Sequence, residues 1–422
     1  MPLRERIDGL SRAELTALRD LMKRYLEVCH HPLTEQRRQK WQRSSTLQPQ
    51  PPIVWTWPDW RAWKQLIADD EYSTPEVTSA RAFEDHMRKA IYHFEILKDD
   101  HACEPVMRVW AAVEHSGWGL EPTRIGDENA NDAWHYDPPI KQESDFEKLR
   151  LPTLSYDEES TKHRIDAARE LVGDLMPVEV TCWPGVDTVL IVHLCGLRGI
   201  DQVFLDMYER PDFLHRLLGF LTEGNLKVME QAEAGGWLAL NNKDDYTGSG
   251  AMGYTDELPA AGFAGRARFK DLWAHSEAQE YALVGPLQHE EFALQYQIRL
   301  LERYGLVCYG CCEALHRKFD LMMKIPRLRR ISISPWCNIR VAAERLQNRY
   351  VYNWKPNPAD LVAGWDESRI RAQLTEFLAV TKGCVVEMVM KDVQTLGDHP
   401  ERLARWVEIA RECVNAQYGQ AN

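Results

Sequence analysis

The chain has 422 residues, 44% hydrophobic and 27% charged, the balance of a folded globular protein with a sizeable core. Its formal net charge of −13 argues against non-specific nucleic-acid binding, which needs a basic surface. No apolar run approaches the ~20 residues that span a bilayer. The charged start Met1-Pro2-Leu3-Arg4-Glu5-Arg6 lacks a signal-peptide apolar core, so a cytoplasmic location without a membrane partner is expected. The ten cysteines are then expected as thiols, mostly small core residues, with Cys308-Tyr309-Gly310-Cys311-Cys312 as the exception.

In chain order, Ser11-Arg12-Ala13-Glu14 has the form of a capping box, and Leu15, Leu18, Leu21 and Leu26 follow at roughly helical spacing. Gln48-Pro49-Gln50-Pro51-Pro52 is a break. Trp55, Trp57, Trp60 and Trp63 follow, either as an aromatic clamp or, the preferred reading, as a helix or extension packed on the main body. Residues 120–160, rich in Asp, Glu, Asn and Pro, read as a long loop. Helical patterns cover 163–176 and 199–233. Strand-length apolar runs then alternate with helical segments: Trp237-Leu238-Ala239-Leu240, Tyr281-Ala282-Leu283-Val284, Leu306-Val307-Cys308-Tyr309, Arg330-Ile331-Ser332-Ile333-Ser334, Tyr350-Val351-Tyr352-Asn353 and the run 384–390. Such alternation predicts parallel βαβ units.

Several stretches resemble the uroporphyrinogen decarboxylase superfamily, which includes methylcobamide:coenzyme M methyltransferases. They are Asp137-Pro138-Pro139-Ile140 leading to Phe146-Glu147-Lys148-Leu149; Leu197-Arg198-Gly199 before Phe204-Leu205-Asp206-Met207; Asn353-Trp354-Lys355-Pro356-Asn357-Pro358; and the tail through Leu403, Trp406 and Ala410. The resemblance covers roughly 135–415. It implies an α/β fold, a (β/α)8 TIM barrel over 131–422, preceded by a helical extension or cap over 1–130. It also implies a zinc site in the methyltransferase branch, with a His-x-Cys at the end of a late strand. Cys311 falls on that cysteine, Tyr309 replaces the histidine, and the family's further cysteine after the last strand has no counterpart. The decarboxylase branch's N-terminal arginine-rich segment has none either.

Active-site groups of such a barrel project from the C-terminal strand ends. Period-2 alternation puts Tyr309, Cys311 and Glu313 on one face, where Cys311 and Glu313 are candidate zinc ligands; the alternative is buried core thiols with Glu313 capping a helix. Asp244 and Asp245 precede Tyr246-Thr247-Gly248-Ser249-Gly250, a Gly-rich stretch that lets backbone approach a ligand, and one of the two is a candidate acid or base. His289 is a candidate third metal ligand or a first-turn helix residue. Lys391, on one face with Glu387 and Val389, is a candidate catalytic group or the ion-pair partner of Asp392. Lys355, Tyr309 and Trp336 are candidates for holding an anionic or planar group.

Three functions compete. The first is methyl transfer from a small methylated or methoxylated substrate to a corrinoid on a partner protein, assisted by zinc at Cys311, Glu313 and His289. The second is a metal-independent decarboxylase or lyase, with Asp244 or Asp245 moving the proton and Arg198 and the lysines gripping carboxylates. The third is a tetrapyrrole-binding accessory protein. A homodimer is compatible with each.

Overall fold

The computed structural model describes residues 10–74, 79–126 and 134–419. Six parallel strands form the main sheet: β1 (Ile53–Pro58), β2 (Trp273–Ser276), β3 (Leu306–Tyr309), β4 (Leu328–Ile333), β5 (Val351–Trp354) and β6 (Val385–Val393). Their order is β1-β6-β5-β4-β3-β2, a curled half-barrel. The strands other than β2 are mostly apolar, and β6 is buried on both faces along most of its length, as parallel strands under helices must be. Helices such as Glu367–Val380 and Glu401–Tyr418 cover the outer face.

The expected closed eight-stranded barrel is realised only in this part. Among the described residues, a further parallel pair, Met107–Trp110 with Val178–Thr181, forms a separate two-stranded sheet. The expected strand Trp237-Leu238-Ala239-Leu240 has no ladder. Beside it, the amide side chain of Asn241 exchanges hydrogen bonds with the Trp273 backbone, at 2.9 and 3.0 Å, where a strand would have paired. Tyr281-Ala282-Leu283-Val284, also read as a strand, is a helical turn and bend. The strand it displaced in the reading is β2, eight residues earlier.

The Ser11 capping box forms, with Ser11 Oγ accepting from the Glu14 amide at 3.2 Å and starting α1 (Arg12–His30). Leu18 and Met22 of α1 pack with Phe83, Met87 and Leu171 from two other helices in a second apolar core. The tryptophan-rich segment is not a packed-on helix throughout. Trp55 and Trp57 lie on β1, which pairs with β6 in the main sheet, and only Trp60 and Trp63 lie on the short helix Trp60–Leu66.

The inner face of the sheet is polar near its strand starts. Arg330 on β4 and Glu387 on β6 meet across β5, with Nη2 donating to Oε1 at 2.9 Å, and both are almost fully buried. The helix α2 (Pro32–Ser45) ends against them, so that Ser44 donates to Glu387 at 2.7 Å and Ser45 accepts from Arg330 at 3.2 Å. Removing one member leaves an uncompensated buried charge, which costs about 3–5 kcal/mol. Urea unfolding of Glu387→Ala should show a loss of that size, and the double variant Arg330→Met with Glu387→Leu should regain most of it.

Candidate functional site

Alternate residues of the parallel strands face the interior: Trp55 and Trp57 on β1, Trp273 and His275 on β2, Cys308 on β3, Arg330 and Ser332 on β4, Asn353 on β5, and Glu387, Val389 and Lys391 on β6. Continuing past the strand ends, Glu277, Cys311 and Lys355 join Lys391 at the C-terminal rim. The hairpin Tyr246–Thr247 with Ala251–Met252 inserts over them. Its glycines serve that insertion. Gly248 and Gly250 have φ of 61° and 102°, and a Cβ on Gly248 would sit 2.8 Å from Cys308 Cβ. The Gly-rich turn therefore approaches strands, and it delivers Ser249 to the rim. Ser249 Oγ lies 3.2 Å from Cys311 Sγ and accepts from Lys391 Nζ at 3.1 Å. Lys391 Nζ is also 4.0 Å from that sulfur and 3.0 Å from Asp392 Oδ1.

This crowding moves proton affinities apart. Burial, then the neighbouring Cys311, pushes the Glu277 carboxyl up to about 10, with Glu313 and Glu280 adding to the rise. One of its oxygens, Oε2, is buried without a hydrogen-bond partner. Glu277 is thus a carboxylic acid rather than a carboxylate at neutral pH. Burial, then Lys391, lowers the Lys355 amine to about 7. Burial opposes the charge on Lys391, but Tyr246, Cys311 and Asp392 outweigh it and hold that lysine above its ordinary value. Burial, with the two lysines, also keeps His275 neutral, at about 4. The rim therefore offers an acid that keeps its proton, one fixed cation, and an amine poised near neutrality.

Beside this cluster lies a cavity of about 750 Å³. It occupies the gap between the main sheet and the separate strand pair. Trp55 and Trp57 line it from β1, Trp110 and Trp183 from the strand pair, and Tyr246 from the hairpin.

The structure disperses several expected site residues. Cys311, Glu313 and His289 do not share a ligand set. Glu313 accepts from the amides of Ala278 and Cys311, at 3.1 and 2.9 Å. His289 is buried in the helix layer with both ring nitrogens engaged, by Tyr309 at 3.0 Å and Lys318 at 3.1 Å. Among the described residues no three His, Cys, Asp or Glu side chains group as metal ligands. The residues present therefore do not fit the zinc site that the resemblance implied. Tyr309 is buried and faces the helices, donating to Gln297 at 3.0 Å. The alternation expected to carry it to the same face as Cys311 breaks at Gly310, whose φ is 96°. Asp244 is held by Arg108 and accepts from the Glu104 amide at 3.0 Å, on the cavity wall rather than in the Cys311 cluster. Asp245 lines the same wall; burial, then Asp244 after the opposing Arg108, raises its proton affinity. Lys355 is buried and donates to Ser332 at 2.7 Å and to the Asn353 side chain. Trp336 is 70% exposed, on a loop beyond β4. Lys391 and Cys311 come together at the rim, and the acid beside them, Glu277, was missed. Its signal was the alternation Trp273, His275, Glu277 in a run too short and too polar to read as a strand.

No protein-family model matches the chain, and no curated protein matches it in sequence. Among solved structures, a methyltransferase from Methanosarcina mazei is similar over 90% of this chain and 99% of its own, with a TM-score of 0.52 and 12% identity. At that identity the likeness is one of fold. No helix among the described residues is long and apolar enough to cross a membrane.

Cys311 and Cys312 differ in a measurable way. Their sulfurs lie 3.5 Å apart. The Cys311 hydrogen bond is the largest influence on exposed Cys312 and lowers its proton affinity below the ordinary 9.0, whereas burial holds Cys182 and Cys384 at about 11. Iodoacetamide labelling followed by peptide mapping should therefore find Cys312 modified first, with a pH midpoint below 9.0. Cys311→Ala should move that midpoint upward.

Proposed function

We propose that this chain is a divergent member of the uroporphyrinogen decarboxylase superfamily that transfers a methyl group from a small methylated or methoxylated substrate to a corrinoid carried by a partner protein. The observation that carries this reading is the protonated Glu277 carboxyl beside Cys311, Ser249 and Lys391, at the strand ends where barrels of this kind do their chemistry. The fold shared with a methyltransferase supports it.

In the step proposed, the bond from the methyl carbon to its heteroatom breaks and the electron pair stays on the heteroatom. Glu277 delivers a proton to that atom, and Lys391 offsets the negative charge building there. When bound, a reduced corrinoid supplies the electron pair that receives the methyl group. Cys311 and Ser249 fix the orientation of the acid and the lysine. Leu283 on the turn and Leu287 on the helix Pro286–His289 beyond β2, with Trp336 on the loop beyond β4, are exposed and leave an apolar approach for a partner on this side. The lyase alternative loses one of its anion-gripping groups and one of its proton carriers, because Arg198 is buried against Asp206, with Nε donating at 2.7 Å, and Asp244 is already paired with Arg108.

Glu277→Gln keeps the shape and loses the proton. Methyl transfer to free cob(I)alamin, followed by its absorbance, should fall about 10²–10⁴-fold with substrate binding unchanged. An acid acts while protonated, so the wild-type rate should decline as pH rises through about 10. Cys311, Glu313, Glu280 and Tyr246 face this group and set that midpoint. The glutamine variant should lack the decline; equal rates and equal profiles would overturn the assignment.

A further inference from the structure

We propose that Cys311 and Cys312 are a reversible modification site: a low-molecular-weight disulfide oxidises the pair to a vicinal disulfide, and closure takes Cys311 away from the hairpin serine beside Lys391. The closure stands on the geometry of the two thiols, and its bearing on catalysis rests on the methyl-transfer reading above.

Neighbouring residues of a strand point to opposite faces, which keeps adjacent side chains apart. Here the chain has already left β3. Gly310, with φ of 96°, turns it, and residues 311–313 form a bend. The bend is pinned through the Cys311 backbone. Its amide donates to Glu313 Oε2 at 2.9 Å, and its carbonyl accepts from Ser332 Oγ at 3.2 Å. Held this way, the two sulfurs lie 3.5 Å apart. Rotation of the two side chains brings them toward the roughly 2.05 Å of a bond.

Access to the two sulfurs is unequal. Cys312 is exposed and Cys311 half-buried. The hydrogen bond between them lowers the proton affinity of Cys312, and the same bond, then burial, raises that of Cys311. Cys312 is thus the sulfur that meets an external disulfide, and Cys311 the one that resolves it. Cys29 and Cys103 come closer, at 3.2 Å, but both are buried where no reagent reaches them. Cys308 is buried under Gly248, with its sulfur 3.5 Å from Arg330 Nη1.

The exchange balances. The Cys312 thiolate attacks one sulfur of the external disulfide, whose sulfur–sulfur bond breaks. The departing thiolate takes up the proton that Cys312 released. Cys311 then attacks Cys312 Sγ, the mixed disulfide breaks, and the second thiolate leaves with the Cys311 proton. The pair loses two hydrogens, and the external disulfide becomes two thiols. The ring that adjacent cysteines close is small and strained, so excess thiol opens it again.

Closure moves Cys311 Sγ toward Cys312. The contact with Ser249 Oγ, now 3.2 Å, is lost, and Ser249 is left with Lys391 at 3.1 Å. The rim is therefore fully assembled only with both thiols reduced, the condition that a reduced corrinoid also needs.

The test is incubation of the full chain with glutathione disulfide, blocking with N-ethylmaleimide, unfolding, and mass mapping of the tryptic peptide 304–317, which carries Cys308, Cys311 and Cys312. That peptide should lose two hydrogens at Cys311 and Cys312 while Cys308 stays a thiol, and reduced glutathione should restore both. Cys311→Ser should accumulate a glutathione adduct on Cys312, and Cys312→Ser should show neither ring nor adduct. A lasting adduct on wild-type Cys312, two free thiols in excess oxidant, or earlier closure of Cys29 with Cys103 would overturn the proposal. Hydrogen–deuterium exchange over 246–252 should rise in the oxidised chain; unchanged exchange overturns the link to the hairpin. Neither measurement contains substrate or corrinoid. Failure of the methyl-transfer reading therefore leaves the closure standing, and failure to close leaves that reaction standing.

Discussion

Arg330 and Glu387 are two full charges withdrawn from water in the middle of the sheet, and their attraction offsets that cost because both Arg330 terminal nitrogens and both Glu387 oxygens find hydrogen-bond partners, while Arg330 Nε lies 2.9 Å from Glu387 Oε2. Glu387 accepts from Ser44 at 2.7 Å and from Asn353 Nδ2 at 2.7 Å, and Arg330 donates to Thr247 at 3.2 Å. Those contacts tie α2, β5 and the inserted hairpin to one point. With its amide nitrogen bound to Glu387, Asn353 turns its oxygen to Lys355, and the lysine ends at Ser332. The position of Lys355 at the rim is thus referenced to a buried ion pair below it.

The same construction explains how the rim groups stay apart in proton affinity while crowded in space. Lys391 has Tyr246, Cys311 and Asp392 to sustain its charge. Lys355, deeper and facing Lys391, has neutral oxygens as its hydrogen-bond partners and drops to about 7. Glu277 sits among Cys311, Glu313 and Glu280, so its proton is retained. Two lysines and one acid of ordinary chemistry thus acquire three different proton affinities through placement alone.

Strands β3 to β6 were legible in the sequence because each is an apolar run bounded by turn residues. The interior face of β6, with Glu387, Val389 and Lys391 together, was legible from alternation. β1 was not, because its tryptophans fit a helix and a strand equally well over so few residues. β2 was not, because an interior face carrying Trp273, His275 and Glu277 is polar where a strand reading expects apolar residues. The false strand at 237–240 has the right composition, but its neighbour binds an asparagine side chain instead of a second backbone. At the site, Cys311 and Lys391 were visible as reactive residue types at strand ends. Glu277 disappeared with its strand. Positive φ at Gly310, which sends Tyr309 and Cys311 to different sides, leaves no trace in a period-2 count.

The Asn241 bridge to Trp273 replaces a ladder with two side-chain hydrogen bonds. A ladder opens cooperatively, whereas a single amide swings free by rotation about its own side-chain bonds, at the cost of two hydrogen bonds. The junction between residues 237–241 and β2 therefore rests on side-chain hydrogen bonds where the main sheet rests on ladders. It adjoins the cavity directly, since Asn241 and Trp273 both line it. On this side the cavity is thus bounded by a side-chain bridge to β2, whereas the strands leading to Lys355 and Lys391 are joined to their neighbours by backbone ladders.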